Sequence, residues 1–248
     1  SVVSISSSES DGTYNLGSVI SISVTFSEPV SVTGTPQLQL ETGSTDRVAN
    51  YVSGMDTTIL TFSYTVQEGD TTRDLDYNST AALLLNGGTI FDSDSSGAHL
   101  TLPTKGGEYS ISGSKALAID GLSPSIISVS SLSADSSYSM NSQIPIQLTF
   151  SEPVTVSGTP QLVLETGYDD AIVDYNSGSG GNVLTFLYTV QSSDNSLDLE
   201  YHTSNPFNLN SGSIIDTAGN NALLPMPSIG SGNSLSDNKD IFVNGSVP

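Results

Sequence analysis

Carboxylates are the abundant charged side chains in this sequence that could bind a ligand or take part in chemistry. The 248 residues include 26 aspartates and glutamates, 5 lysines and arginines, two histidines and no cysteine. The lack of cysteine excludes thiolate metal sites, and the formal net charge of -21 repels nucleic acid and anionic membranes. The same charge attracts divalent cations, and a chain rich in oxygen donors but poor in nitrogen donors favours Ca²⁺.

The sequence is an internal duplication. The segment 26–38, FSEPVSVTGTPQL, returns at 150–162 as FSEPVTVSGTPQL, and at this offset about 54 of the 124 aligned positions are identical. The two histidines are not repeated, because His99 aligns with Leu223 and His202 aligns with Asn78. A histidine-based catalytic site shared by both copies is therefore excluded.

Each copy contains short segments in which apolar and small polar residues alternate. This period of two predicts half-buried antiparallel strands, and turn signals recur every eight to twelve residues. No segment shows a helical period, so the pattern predicts an all-β fold with one β-sandwich in each copy. Proline cannot donate to a strand ladder, so Pro29 is expected to end the strand that begins at Val19. The faces predicted to be buried include Ile20, Ile22, Val24 and Phe26 in one strand and Leu60, Phe62, Tyr64 and Val66 in another.

The duplication sets the predicted domain boundaries. Residues 1–120 form the first domain, 121–124 a linker and 125–248 the second domain. Each copy is large enough to bury its own core, and no apolar run approaches the roughly 18 residues of a membrane span. The chain begins and ends with a repeat, so we expect further repeats to adjoin it.

The motifs follow one another in a characteristic order. Asp-Gly-Thr-Tyr precedes an alternating strand that ends in Phe-Ser-Glu-Pro-Val; Gly-Thr-Pro-x-Leu, Leu-Thr-Phe-x-Tyr-Thr-Val and a closing Ile-Asp follow. This order resembles bacterial Ig-like tandem repeats, which build the extracellular stalks of large surface adhesins. The resemblance implies two tandem Ig-like β-sandwich domains at the bacterial cell surface. It also implies a linker aspartate that binds calcium; Asp120 matches that position, whereas the second copy has Asn244.

The expected strand directions sort the acidic residues by end of each sandwich. Asp70 and Asp74, together with Asp11 and Asp46, are expected at the end of domain 1 where Asp120 lies, and Glu152 and Asp216 at the facing end of domain 2. The sequence thus predicts a Ca²⁺ site at the junction, formed by Asp70, Asp74, Asp120, Glu152 and Asp216. The alternative is that these residues only cap turns. The equivalents of the predicted ligands in the other copy are Glu28, Asp92, Asp194 and Asp198.

One motif carries two acidic residues two positions apart. It reads Asp-Leu-Asp-Tyr at 74–77 and Asp-Leu-Glu-Tyr at 198–201. On a strand the two carboxylates point the same way, as a glycosidase acid and base could. Tryptophan is absent and no aromatic cleft is evident, so metal chelation or charge solvation is the better interpretation. We expect the chain not to be an enzyme.

Together these features predict an extracellular spacer module of a surface adhesin, made rigid by Ca²⁺ at the junction. The expected partners are neighbouring repeats and a host or cell-surface glycan or protein, with no nucleic acid, no membrane insertion and a monomeric state. The alternative is a ligand-binding adhesion module whose specificity lies in the loops. A hydrolase accessory domain is less consistent with the lack of tryptophan.

Overall fold

Two separate hydrophobic cores divide the chain into domains. The computed structural model describes residues 1–246, and the chain separates into the units Ser1–Leu122 (domain 1) and Ser123–Pro248 (domain 2). The division falls inside the predicted linker 121–124. Residues 247 and 248, the last two of the predicted second domain, lie outside the described residues.

Domain 1 is built almost entirely of strands. Its elements are β1 (Val2–Ser7), β2 (Gly12–Asn15), β3 (Val19–Thr33), β4 (Gln37–Glu41), β5 (Arg47–Ser53), β6 (Thr57–Thr65), β7 (Thr71–Thr72), β8 (Asp76–Tyr77), β9 (Leu83–Leu84), β10 (Thr89–Asp92), α1 (Ile111–Ser114) and β11 (Leu117–Asp120).

Domain 2 repeats this order. Its elements are β12 (Ile126–Ser131), β13 (Ser136–Ser139), β14 (Gln143–Ser157), β15 (Gln161–Glu165), β16 (Ala171–Ser177), β17 (Gly181–Thr189), β18 (Asn195–Ser196), β19 (Glu200–Tyr201), β20 (Phe207–Asn208), β21 (Ser213–Ile215), α2 (Leu235–Asn238) and β22 (Ile241–Asn244).

Each domain has a large and a small sheet. In domain 1 the large sheet has the order β1-β3-β6-β5-β4-β8, with β9 and β10 attached, and the small sheet has the order β2-β11-β7. Strand β2 runs parallel to β11, whereas the other pairs are antiparallel. One buried cluster joins both sheets, with Ile22 and Phe62 from the large sheet and Ile119 from the small one. Domain 2 pairs its strands in the same way, which confirms the predicted all-β fold of two tandem Ig-like β-sandwiches.

Two short helices were not predicted. Both α1 and α2 are single turns of four residues, too short to show a helical period in the sequence. Each follows a serine that caps it, because Ser110 Oγ accepts a hydrogen bond from Gly113 N and Ser234 Oγ accepts one from Asp237 N. Within residues 1–246, no helix is long and apolar enough to cross a membrane.

The prediction that Pro29 ends its strand is wrong. Strand β3 continues through Pro29 to Thr33. Its pairing with β6 jumps from Thr25↔Ile59 to Val30↔Thr57, so Pro29 lies in a β-bulge. Residues in the bulge do not donate to the β6 ladder, so the N–H that proline lacks is not needed there. The bulge is repeated around Pro153 in β14. It lets one long strand serve both β6 and the later strand β10.

The predicted buried faces are confirmed. The side chains of Ile20, Phe62 and Tyr64 are fully or almost fully buried. Core tyrosines keep their hydroxyls paired, since Tyr64 donates to Asp70 Oδ2 at 2.7 Å and Tyr77 donates to the Pro103 carbonyl at 2.7 Å. Burial raises the pKa of Tyr77 to about 12, and burial also raises the pKa of Tyr64 well above its usual range.

These tyrosines predict a loss of stability at high pH. The pKa of Tyr77 is higher in the folded state than in the unfolded chain, where it is about 10. Its contribution is complete below pH 10 and is lost as the pH rises towards the folded pKa of about 12. Urea unfolding between pH 8 and 12 should show a free energy of unfolding that is unaffected by Tyr77 up to about pH 10 and then falls by up to about 1.4 kcal/mol per pH unit for each such tyrosine.

The matched variants are Tyr77→Phe and Tyr109→Phe. The first removes one buried phenol and should make the decrease in domain 1 less steep, whereas the second changes an exposed tyrosine and should leave the slope unaltered. If the free energy of unfolding fell equally steeply with pH in both variants, the loss of stability at high pH could not be assigned to Tyr77.

Candidate functional site

Glu152 and Asp216 form a carboxylate pair within domain 2. Their oxygens approach within 4.8 Å of one another. Glu152 lies in the bulge of β14, and Asp216 directly follows β21, which pairs with the later part of β14. Glu152 is half-buried, whereas Asp216 is only 3% exposed. Two carboxylates this close favour a shared cation, because their charges otherwise repel each other.

Asp216 also organises the loop that follows it. Its Oδ1 accepts hydrogen bonds from the backbone N–H groups of Ala218, Gly219 and Asn220 at 2.7–2.8 Å. Its Oδ2 accepts one from Asn220 Nδ2 at 2.8 Å. The turn-capping interpretation therefore holds for Oδ1. Oδ2 has a second lone pair, so this oxygen can cap the loop and still bind a cation.

The equivalent residues of domain 1 are more exposed. Asp92 Oδ1 accepts from the N–H groups of Asp94 and Ser96, which repeats the loop of Asp216 with fewer bonds. Glu28 is exposed on its bulge. The two domains thus share the loop and the bulge, and domain 2 encloses its carboxylates more deeply.

Asp120 is the last residue of β11 and ends the small sheet of domain 1. Its Oδ1 accepts a hydrogen bond from Leu122 N at 3.2 Å, so the carboxylate caps the first turn of the predicted linker. The strand β7 pairs with this end of β11, through Thr71↔Asp120. Asp70 immediately precedes β7, and its carbonyl accepts a hydrogen bond from Gly121 N.

The carboxylate of Asp70 has partners inside its own domain. The side chain is 1% exposed; Oδ1 accepts from Arg47 Nε at 2.6 Å, and Oδ2 accepts from the Tyr64 hydroxyl and from Gln67 N. The prediction placed Asp70 at the correct end of the domain, but these bonds turn its carboxylate into the sandwich. A structural ion pair accounts for its burial better than a shared calcium ion does.

Asp74 and Asp11 lie at the opposite end of β11 from Asp120, which corrects their predicted placement. Asp74 Oδ1 accepts from Leu117 N, and Asp11 Oδ1 accepts from Ala116 N. Leu117 and Asp120 are three residue steps apart along the extended strand, about 10 Å. Asp11 lies there because β2 runs parallel to β11, so the loop before β2 lies beside the start of β11. Asp74 lies there because β7 runs antiparallel to β11, with Thr71 opposite Asp120, so the chain after β7 reaches the start of β11.

The domain 2 counterparts of Asp70 and Asp74 have similar positions. Asp194 is 4% exposed, and its Oδ2 accepts from the Tyr188 hydroxyl at 2.6 Å and from Gln191 N at 2.7 Å. Burial raises the pKa of Asp198, and a hydrogen bond from the Ile241 backbone, at the first residue of β22, opposes that rise. Asp198 therefore binds the first residue of β22, as Asp74 binds the first residue of β11.

The second acid of the paired motif is structural, a role that the sequence analysis missed. Asp76 Oδ2 accepts from Ser112 Oγ at 2.6 Å, and Glu200 Oε2 accepts from Ser236 Oγ at 2.7 Å. Both carboxylates are buried and hold the single-turn helices against β8 and β19. The repeated serine at the second position of each helix was the signal that could have indicated this pairing.

A second acidic group in domain 2 contains a histidine. Oxygens of Glu165 and Asp170 and a nitrogen of His202 lie within 4.8 Å of one another. However, His202 Nδ1 accepts hydrogen bonds from the N–H groups of Ser204 and Asn205, so Nε2 carries the proton and faces Asp170 at 3.6 Å. A protonated Nε2 cannot bind a metal, and the arrangement is an imidazole–carboxylate contact.

Comparison with known proteins adds little to this geometry. No family model matches the chain, and no curated protein matches it. Among solved structures, the I-band fragment I67-I69 from titin matches with a TM-score of 0.33 and 11% identity, covering 92% of this chain and 68% of that one. The titin Ig tandem domains A164-A165 match with a TM-score of 0.23 and 8% identity, covering 91% of this chain and 100% of that one. At these scores the class, a tandem of Ig-like β-sandwiches, is assigned from the strand pairing described above.

The ion pair in domain 1 predicts that this domain loses stability when Arg47 is removed. Arg47→Ala should lower the free energy of unfolding of domain 1 by about 2 kcal/mol, because the buried Asp70 loses its cation. The effect should be smaller than for a fully buried pair, since the Arg47 side chain is 26% exposed. Urea unfolding followed by NMR, which resolves the two domains, measures the change.

The control is Arg73→Ala, which removes an exposed arginine of the same domain. It should leave the unfolding midpoint of domain 1 unchanged. A result in which Arg47→Ala and Arg73→Ala are indistinguishable would show that Asp70 does not depend on the ion pair.

Proposed function

We propose that the chain is a spacer segment of an extracellular bacterial adhesin, in which Ca²⁺ binds where the two Ig-like domains are joined. The observation that carries the proposal is the pair of close carboxylates, Glu152 and Asp216, in domain 2. Asp120, at the end of domain 1, supplies a third carboxylate. Asp70 and Asp74 are left out, because their carboxylates bind partners within domain 1.

The position of the pair within domain 2 supports this assignment. Ser151, next to Glu152, accepts a hydrogen bond on Oγ from Ser125 N and donates its own N–H to the Ser125 carbonyl. The Pro124 carbonyl accepts a hydrogen bond from Leu223 N, which lies beyond the Asp216 loop. The pair therefore lies beside the point where the chain enters domain 2. Asp120 is five residues upstream of Ser125, a span of at most about 18 Å.

The chemistry of the site suits calcium. Calcium takes six to eight oxygen ligands and accepts carboxylates, carbonyls and water in flexible geometry. No cysteine is present in the chain, and neither histidine belongs to this group, so softer metals lack their preferred ligands here. An ion that binds both domains stabilises one arrangement of the tandem by RT ln(1 + [L]/Kd), and without it the carboxylates repel one another.

Calcium titration tests the proposal. Isothermal titration of chelator-treated protein with Ca²⁺ should show saturable binding. Glu152→Gln should weaken that binding by about tenfold or more, because it removes one charged ligand but keeps the shape of the side chain. Glu28→Gln makes the same change at the exposed counterpart in domain 1 and should leave binding unchanged. The absence of heat with the wild-type protein, or equal binding by both variants, would refute the site.

Small-angle X-ray scattering with and without millimolar Ca²⁺ separates binding from rigidity. A spacer stiffened by the ion should show a larger maximum dimension with Ca²⁺, and Asp120→Ala should abolish the increase. An unchanged maximum dimension alongside saturable binding would leave a calcium-binding module without the stiffening role.

A groove in domain 2 favours ligand binding as a second candidate function. It has a volume of about 470 Å³, and its lining includes Tyr201, Phe207, Met226 and Ile229. Domain 1 has Lys105 at the position of Ile229, so this part of the lining differs between the two copies. On a glycan array, specific binding that Ile229→Lys removes would support the adhesion function; binding unaffected by this change would exclude the groove.

A further inference from the structure

A cleft opens in domain 2 where two neighbouring strands diverge. Strands β16 and β17 pair through Tyr175↔Phe186 and Ser177↔Thr185, and this pairing does not extend to Ala171 at the start of β16. The cleft has a volume of about 570 Å³. Its lining includes Ala171, Val173, Leu187, Tyr188 and Asp194. It belongs entirely to domain 2 and is distinct from the Glu152–Asp216 pair.

Domain 1 carries an arginine at the corresponding position. Arg47 is the first residue of β5, as Ala171 is the first residue of β16. Arg47 Nε donates to Asp70 Oδ1 at 2.6 Å, and a terminal guanidinium nitrogen donates to the Glu68 carbonyl at 3.4 Å. In this copy of the fold, a guanidinium group thus binds the buried aspartate that follows the Tyr64 strand.

Domain 2 keeps the aspartate and lacks the arginine. Asp194 is 4% exposed and binds Tyr188 and Gln191 through Oδ2, as Asp70 binds Tyr64 and Gln67. Its Oδ1 corresponds to the oxygen that Arg47 binds in domain 1. Among residues 1–246, no lysine or arginine forms an ion pair with Asp194. A buried carboxylate is costly without a positive partner, so domain 2 would gain stability from a cation in the cleft.

The surroundings of the cleft strengthen its attraction for a cation. Asp169, Asp170 and Asp174 also line it, and the corresponding residues of domain 1 are Thr45, Asp46 and Asn50. Domain 2 therefore has two more carboxylates around the position that the arginine occupies in domain 1. Two of the lining aspartates have neighbours of their own, since Asp170 faces His202 and Asp174 accepts a hydrogen bond from Gln161 Nε2.

We propose that this cleft binds the guanidinium group of an arginine side chain from a partner polypeptide. Domain 1 provides the template, because its own arginine makes the same contact with an equivalent aspartate. The lining residues Ala171, Val173 and Leu187 suit a planar, weakly hydrated guanidinium and its methylene stem better than a hydrated metal ion. Calcium would need several free oxygen ligands at once. Of the lining aspartates, Asp170 already faces His202, Asp174 accepts a hydrogen bond from Gln161, and Asp194 binds Tyr188 and Gln191 through Oδ2.

The probe for the test is N-acetyl-arginine amide, which carries the side chain without backbone charges. In NMR titrations of the ¹⁵N-labelled 248-residue protein, it should shift the amide signals of Gln191 and Ala171 saturably, with a dissociation constant of about 1 mM. N-acetyl-citrulline amide has nearly the same shape and no charge, and should cause no saturable shift. Equal binding of the citrulline compound would overturn the proposal.

Ala171→Arg should fill the cleft from within. We expect it to weaken probe binding about tenfold or more, because the introduced guanidinium competes for Asp194. We also expect it to raise the melting temperature of domain 2. Conversely, Arg47→Ala should create a second site for the probe, reported by the amide of Gln67 in domain 1. Undiminished binding by Ala171→Arg would place the site elsewhere and refute the proposal.

Two further measurements separate this site from the calcium site. Glu152→Gln should leave probe binding unchanged, so failure of one proposal does not decide the other. Competition with Ca²⁺ is the second measurement. If millimolar Ca²⁺ displaces the probe fully at constant ionic strength, the cleft is a general cation site and the arginine proposal is wrong.

Discussion

The buried hydrogen bond from a core tyrosine to an aspartate is the interaction on which both domains depend. Tyr64 belongs to the large sheet, and Asp70 directly precedes β7 of the small sheet, so their bond fixes the loop that connects the two sheets. The carbonyl of Asp70 then accepts from Gly121 N at the end of β11. A Cβ at Gly121 would collide with the Gln67 carbonyl, so this close approach requires glycine. Tyr188, Asp194 and Gly245 repeat the arrangement.

The duplication makes each domain a natural comparison for the other. The shared features are the Tyr–Asp bond, the proline bulge and the acid that anchors the single-turn helix. These features maintain the fold. The hydrogen bonds satisfy buried polar groups, and the bulge allows a strand to pair first with one neighbour and then with another. The differences lie at loops and strand ends, where Arg47 becomes Ala171 and Lys105 becomes Ile229. Binding functions commonly reside at such positions on a constant scaffold.

Local rules succeeded for the strands and failed where a strand changes partners. The alternation in β3 and β6 identified the buried face correctly, because the side-chain period of a strand depends only on the local backbone. Pro29 was misjudged, because its effect depends on whether its missing N–H falls within a ladder or within a bulge. That depends on the register with β6, a distant strand. Similarly, the four-residue helices could not be predicted from periodicity.

The sequence by itself determined the duplication, the all-β class, the core residues and the oxygen-rich chemistry, because repetition, period and composition are all written along the chain. Only the tertiary structure decided which carboxylates meet. Asp74 and Asp120 were expected to lie close together but lie at opposite ends of β11, since β7, which precedes Asp74, runs antiparallel to β11 from Asp120 towards Leu117. Glu152 and Asp216 do meet, because β21 pairs with the far half of β14. Proximity across more than sixty residues is fixed by strand pairing and register, which no local pattern specifies.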